Sequence, residues 1–217
     1  KVNLIERMPY VMPVMDAEIA GFIEQEMLSY GVNIYTNKSV EAITANTVRL
    51  DDNQIINADM IIMSTGVRPT LQLAIDAGLA IGKSGGLLVN EHLQTSDKNI
   101  YAAGDMIEIE HIVSQQKVRI PLAGPANRQG RIAATNALGG NHSYKGSKAT
   151  SILRVFEAIA GITGLSLSQA KALNIPAESV VVHREHHTNY YPGAETVTVK
   201  LIYHKETGEV LGGQTAG

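Results

Sequence analysis

The sequence predicts an α/β protein, on three observations. Short apolar strands alternate with segments of helical apolar spacing, glycines punctuate both, and a 44% hydrophobic content against 18% charged residues supplies material for buried cores. Residues 1–6 read as a short strand. Residues 16–31 carry Ile19, Phe22, Ile23, Glu26, Met27 and Tyr30 at helical spacing and close on Gly31, and a strand resumes at 32–35, which makes a β-α-β pattern. Residues 40–43, 47–50 and 54–56 read as a meander with turns at Ala45-Asn46 and Asp51-Asp52-Asn53. The run DMIIMS, 59–64, is expected to be a buried strand, stopped at Thr65-Gly66-Val67-Arg68-Pro69 where Pro69 blocks continuation.

A second stretch begins there. Residues 71–77 read as a short helix ended by Gly78, Gly85-Gly86 precede a strand at 87–90, and 100–103 are expected to form a buried strand. A hairpin is predicted from 107–113 and 117–120 over 114–116, then a helix from Pro121 to Leu138 that stops at Gly139-Gly140. Composition turns polar over 141–148, where a boundary is expected. Beyond it, 152–156 and 158–163 read as strands, 166–173 as a helix capped by Ser166, and 180–183, 196–204 and 209–214 as strands, with a hairpin turn at 205–208.

Two motifs carry chemistry. In TSDKNIYAAGD, 95–105, an apolar strand runs into Gly104 and Asp105. A carboxylate at a strand end accepts hydrogen bonds from a polyol, and a residue without Cβ lets a ligand approach the backbone. In IPLAGPANRQGRIAA, 120–134, a helix opens between Pro121 and Pro125, and its unpaired N–H groups carry partial positive charge suited to the pyrimidine edge of a reduced, anionic isoalloxazine. Together they read as a flavin site. Each motif alone has a plainer reading, a strand ending in a turn and a helix start that is only capped.

These motifs, with LIERMPYVMPVMDAEI, STGVRPT and NYYPG, resemble the pyridine nucleotide-disulfide oxidoreductases, in the branch that holds coenzyme A disulfide reductase, NADH oxidase, NADH peroxidase and NADH-dependent persulfide reductase. The resemblance implies a partial Rossmann-like NAD domain over 1–66, the C-terminal part of an FAD domain over 67–143, and the start of an α+β dimerisation domain over 144–217. It also implies an internal segment, because the family's two Gly-rich loops and redox cysteine are not among these residues. The activity it implies is FAD-dependent reduction of a disulfide or persulfide, such as coenzyme A disulfide, with electrons passing from NADH through FAD to a cysteine upstream. An NADH oxidase or peroxidase is the near alternative, and a non-catalytic flavin-binding or dimerisation module is the alternative of another class.

Site residues follow from the resemblance. Asp105 is the ribitol acceptor, with Gly104 beside it and the Met106 backbone near the phosphate end, while Leu122 and Ala123 offer backbone to the flavin. Glu6, at a strand end, grips the adenosine ribose hydroxyls and repels a 2′-phosphate, which favours NADH. Arg7 next to it can receive that phosphate or stack on adenine, so NADPH stays possible. Gly66 falls where the chain passes the bound nucleotide. Tyr190 or Tyr191 is expected to reach a partner subunit's active site. Strand geometry would send only one of them there, and packing at a sheet edge or dimer interface is the competing reading. Homodimerisation is implied too.

Composition narrows the partners. A net charge of −3 without a Lys/Arg run argues against nucleic acid or an anionic membrane as partner. No apolar run approaches a membrane span, so the cytoplasm is the expected compartment. With 0 cysteines the chain holds no disulfide. His183, His186 and His187 lack Cys or regularly spaced acidic partners and read as surface histidines rather than a metal site.

Overall fold

A computed structural model describes residues 1–217. It divides into two compact units, one made of Lys1–Thr65 and Ile152–Gly217, the other of Gly66–Ser151.

In the first unit, β1 (Asn3–Ile5) and β2 (Asn33–Tyr35) run parallel, joined by α1 (Ala17–Ser29). Ile19, Ala20 and Ile23 recur on one face of α1 and are buried. The chain then needs a left-handed residue to turn back toward β2, and Gly31 takes it at φ +76°. The antiparallel meander β3 (Val40–Ile43), β4 (Thr47–Leu50) and β5 (Ile55–Asn57) follows, with Val48, Leu50 and Ile56 at its core.

Residues 59–64 depart from expectation. They form no strand, and Met60, Ile62 and Met63 are 79%, 81% and 63% exposed. A run that is apolar on both faces becomes a buried strand only beside a hydrogen-bonding neighbour, and neither β1 nor β2 pairs with it.

The last segment of this unit builds a five-stranded sheet in the order β11-β12-β13-β10-β9, from β9 (Ser151–Val155), β10 (Ala158–Gly164), β11 (Ala177–Glu185), β12 (Thr196–His204) and β13 (Val210–Ala216). Alternation along β12 decides its two faces. Thr198, Lys200 and Ile202 are buried, whereas Val199 and Leu201 are exposed opposite Val182 and Val180 of β11. The covered side meets the first segment, where Val11, Met15, Ile19 and Ile23 share one core with Ala160, Ile162 and Ala216.

The short helix α4 (Leu167–Ala172) starts at Ser166, as its cap chemistry predicts. The Gln169 N–H donates to Ser166 Oγ at 3.2 Å and the Ser166 N–H donates to Gln169 Oε1 at 3.0 Å, closing a reciprocal capping box. Ser166→Ala is expected to lower stability by about 1 kcal/mol, measured by urea denaturation, with Ser166→Thr restoring most of it.

In the second unit, β6 (Leu87–Leu88) lies parallel to β7 (Ile107–His111), which pairs antiparallel with β8 (Gln116–Val118). A short helix α2 (Gln72–Asp76) precedes them and α3 (Ala123–Ala137) follows. Leu87, Leu93, Ile107, Ile109, Ile120 and Ala133 form the core. The expected strand at 100–103 is reduced to one bridge between Tyr101 and Gln94. Its backbone is held by Thr95 N–H to the Ile100 carbonyl and Ala102 N–H to the Leu93 carbonyl, and no further rung continues the pairing into a ladder.

Candidate functional site

The Gly104–Asp105 turn and the mouth of α3 come together in the second unit. Gly104, at φ +83°, reverses the chain between Ala103 and β7. Its N–H donates to Gln129 Oε1 at 2.8 Å, and Gln129 is buried at 1% exposure on the second turn of α3. A Cβ built on Gly104 would sit 3.8 Å from Ala126 Cβ, so the turn lies against α3 and the missing side chain leaves room there. Ala126 is one turn from the helix start, about 4.5 Å along the axis at 1.5 Å per residue.

That helix start is open. Leu122 caps α3 without a side-chain hydrogen bond, so the Ala123 and Gly124 N–H groups have no acceptor in the chain, and Pro125 in the first turn has none to offer. The Leu122 N–H is already given to the Ile120 carbonyl at 2.8 Å. The free amide donors at this helix start are therefore Ala123 and Gly124, beside Leu122, whose carbonyl accepts from Ala126 N–H at 3.1 Å. On the facing turn, the Met106 carbonyl accepts from Leu87 N–H at 2.8 Å, while the Asp105 and Met106 N–H groups and the exposed Asp105 carboxylate take no partner. A carboxylate acceptor and unpaired amides around a glycine-lined space suit a ligand with hydroxyls and a delocalised negative edge. These residues fit a flavin.

Glu6 and Arg7 stand at the end of β1 in the first unit. Glu6 Oε1 accepts the Met8 N–H at 2.8 Å, and the Glu6 backbone is tied to Tyr35 and Lys38. The second carboxylate oxygen has no hydrogen bond in the chain, and Arg7 is exposed without an ion pair. Gly66 is exposed at φ +98°, a conformation that favours glycine. It opens the second unit.

Tyr190 and Tyr191 lie in the turn between β11 and β12, not in a strand, so strand alternation does not separate them. Both are exposed, at 75% and 60%, with ring centroids 4.9 Å apart. His187 Nδ1 and His186 Nε2 share a hydrogen bond at 2.9 Å, and His183 Nδ1 bonds Thr198 Oγ1. No group of three His, Cys, Asp or Glu residues is arranged to hold a metal ion.

Sequence reasoning missed a buried charge cluster in the first unit. The Asp16 carboxylate accepts from Leu167 N–H at 2.9 Å, Ser168 N–H at 3.0 Å, Ser168 Oγ at 2.7 Å and Gln214 Nε2 at 2.7 Å. Lys200 Nζ lies 3.0 Å from the same carboxylate and 2.7 Å from Glu18, with its side chain only 1% exposed. Burial alone would raise the Asp16 pKa, but the Ser168 and Leu167 donors and Lys200 overcome it and hold the carboxyl at about 2. Lys200 is likewise opposed by burial, yet Glu18 and Asp16 keep its ammonium above its ordinary range. No local pattern announces this cluster, because Asp16 and Gln214 are 198 positions apart.

A parallel β-α-β unit with an acidic strand end, and a unit whose Gly-Asp turn meets an open helix mouth, place the chain in the α/β class whose strand ends and helix starts commonly receive nucleotides. The chain belongs to the pyridine nucleotide-disulphide oxidoreductase family, whose model matches residues 1–130, with the family's dimerisation domain matching 152–217. The NAD(P)H sulfur oxidoreductase (CoA-dependent) of Pyrococcus furiosus is 31% identical over 220 residues, covering 100% of this chain and 50% of that protein. The NADH oxidase of Methanocaldococcus jannaschii is 32% identical over 223 residues, covering 100% and 49%. Reduced CoADR-RHD of Bacillus anthracis superposes with a TM-score of 0.97 at 42% identity, covering 100% of this chain and 40% of that one. The chain thus spans about half the length of the curated relatives it matches. No helix is long and apolar enough to cross a membrane.

Proposed function

We propose that these residues form the nucleotide, flavin and interface portions of a cytoplasmic, FAD-dependent oxidoreductase that reduces a disulfide or persulfide, coenzyme A disulfide among them, at the expense of NAD(P)H and through a cysteine upstream. The observation that carries this reading is the docking of the Gly104 turn onto α3 through Gln129. It brings the turn that carries Asp105 against the same helix whose start leaves the Ala123 and Gly124 amides free. Bound FAD supplies the redox chemistry that links the pyridine nucleotide to the sulfur substrate.

The chain's own groups then bind and orient. Asp105 accepts from a ribitol hydroxyl, the Met106 N–H faces the phosphate end, and the α3 amides at Ala123 and Gly124 stabilise negative charge at the flavin's pyrimidine edge. Glu6 accepts from the nucleotide's ribose hydroxyls. Residues 1–66 belong on this reading to the NAD domain, 67–143 to the FAD domain and 144–217 to the dimerisation domain. The exposed apolar face bearing Val180, Val182, Val199 and Leu201 is where a second copy packs to form a homodimer. Tyr190 or Tyr191, both exposed on the β11–β12 turn, reaches toward the thiol substrate of the partner copy.

A second reading, delivery of the electrons to oxygen or peroxide, is favoured by the 32% identity to an NADH oxidase. One experiment separates them. The full-length protein is purified, its flavin band is bleached anaerobically with NADH or NADPH, and the rate of colour return is followed with coenzyme A disulfide, polysulfide or oxygen. Return on the sulfur compounds, slowed by Tyr190→Phe or Tyr191→Phe, supports the sulfur reading. Return on oxygen alone supports the second reading, and a protein without a flavin band overturns both.

A further inference from the structure

The first unit contains a connection that dinucleotide binding does not by itself require. The loop over 7–15, which leaves Glu6 and leads to α1, has no regular structure. At its start the Met8 N–H is held by Glu6 Oε1 at 2.8 Å and the Met8 carbonyl accepts from Asn37 N–H at 3.0 Å. Its middle is pinned by the Val11 N–H donating to Glu24 Oε1 at 2.8 Å. Its apolar anchors, Val11 and Met15, are 3% and 1% exposed and enter the core lined by Ala160, Ile162 and Ala216 of the five-stranded sheet. The far end is Asp16, whose N–H donates to Gln214 Oε1 at 2.8 Å and whose carboxylate receives Lys200.

We propose that Lys200 and Asp16 are positioning residues for the pyridine nucleotide, locking the loop that flanks Glu6 onto the interface sheet of the same subunit. The inference rests on the reading of Glu6 as the ribose acceptor. The choice of residue supports it. Burying an ammonium is costly, and a well-packed apolar side chain at such a place is generally as stabilising as an ion pair. An apolar residue, however, would hold the sheet and the helix start together without fixing their register. A lysine bonded to both Asp16 and Glu18 sets the first turn of α1, and with it the loop, at one position on β12. The dimerisation module therefore has a second task, as the seat of the nucleotide loop.

The test uses the full-length holoenzyme. Binding of NAD⁺ is measured by calorimetry, and NADH-driven flavin reduction is resolved into half-saturation and limiting rate. Lys200→Met is expected to raise the NAD⁺ dissociation constant and the NADH half-saturation together by about fivefold or more. The limiting rate should stay within about twofold, with flavin spectrum and dimer mass unchanged, since a loss of ground-state binding leaves the chemical step alone. Glu18→Gln, on a side chain that is 55% exposed, removes half of the lock without burying a new group and is expected to shift both constants in the same direction. Lys205→Met, which breaks the exposed pair with Glu178, should move neither. Wild-type nucleotide binding in Lys200→Met and Glu18→Gln, with only the melting temperature lowered, overturns the proposal. Should Lys200→Met fail to fold, Glu18→Gln decides alone. A wild-type flavin that NADH and NADPH leave oxidised overturns the underlying reading as well, and is distinguishable because it appears before any substitution is made.

Discussion

Full-length protein carrying Asp105→Leu is expected to purify with most of its flavin lost. Asp105 is exposed on a turn whose neighbours leave its carboxylate unpartnered, so the substitution breaks nothing within the chain and its effect falls on the ligand. A hydrogen bond from a ribitol hydroxyl to a charged acceptor is worth about 1.5–3 kcal/mol, which weakens flavin binding about tenfold to more than a hundredfold. Asp105→Asn keeps an acceptor oxygen and should retain more colour. Gly104→Val should match or exceed the loss. A β-branched residue is strained at φ +83°, and its side chain fills the space beside Ala126. Visible flavin absorbance per protein after desalting is the measurement, with far-ultraviolet circular dichroism confirming the fold. Full flavin retention in Asp105→Leu would sink the site assignment.

Asp16→Ala is the expected second large effect, on stability. It removes the acceptor of five donors at once and leaves the Lys200 ammonium buried with Glu18 as its only carboxylate. Breaking a buried pair in this way costs about 3–5 kcal/mol, read as a lowered urea midpoint. Acid should mimic it. The folded pKa of Asp16, about 2, lies below its ordinary 3.8. The associated stability, about 2 kcal/mol, is therefore fully present above pH 3.8 and is lost as pH falls through about 2. In Asp16→Ala this acid-dependent loss should be absent. Lys200 has the opposite sign: its folded pKa is raised above 10.5, so its contribution is present below that value and fades as pH climbs through the raised one.

The elements of the candidate site were the more legible part of this chain. Asp105 and the start of α3 stand out because a glycine before a carboxylate and a proline-flanked helix opening are local patterns. The grip of Gln129 on Gly104 was not legible, because a glutamine's partner depends on which turn packs against it. Tyr190 and Tyr191 read as strand residues with opposite directions, and the wide β11–β12 turn makes them neighbours instead.

What the sequence alone determined is the local structure. The apolar spacing of Ile19 and Ile23, the Ser166-to-Gln169 cap, the turn at Asp51-Asp52-Asn53 and the hairpin turn over 205–208 all rest on contacts within a few residues, so the chain carries their cause in its own order. Tertiary structure alone decided which apolar runs become strands and which charges are buried. The runs at 59–64 and 100–103 have strand composition, yet a ladder needs a neighbour's N–H and C=O groups, and position along the chain does not say where those lie. Lys200 sits in an alternating strand like any solvated lysine would, and only the arrival of Asp16 and Glu18 from the other end of the chain makes its burial tolerable.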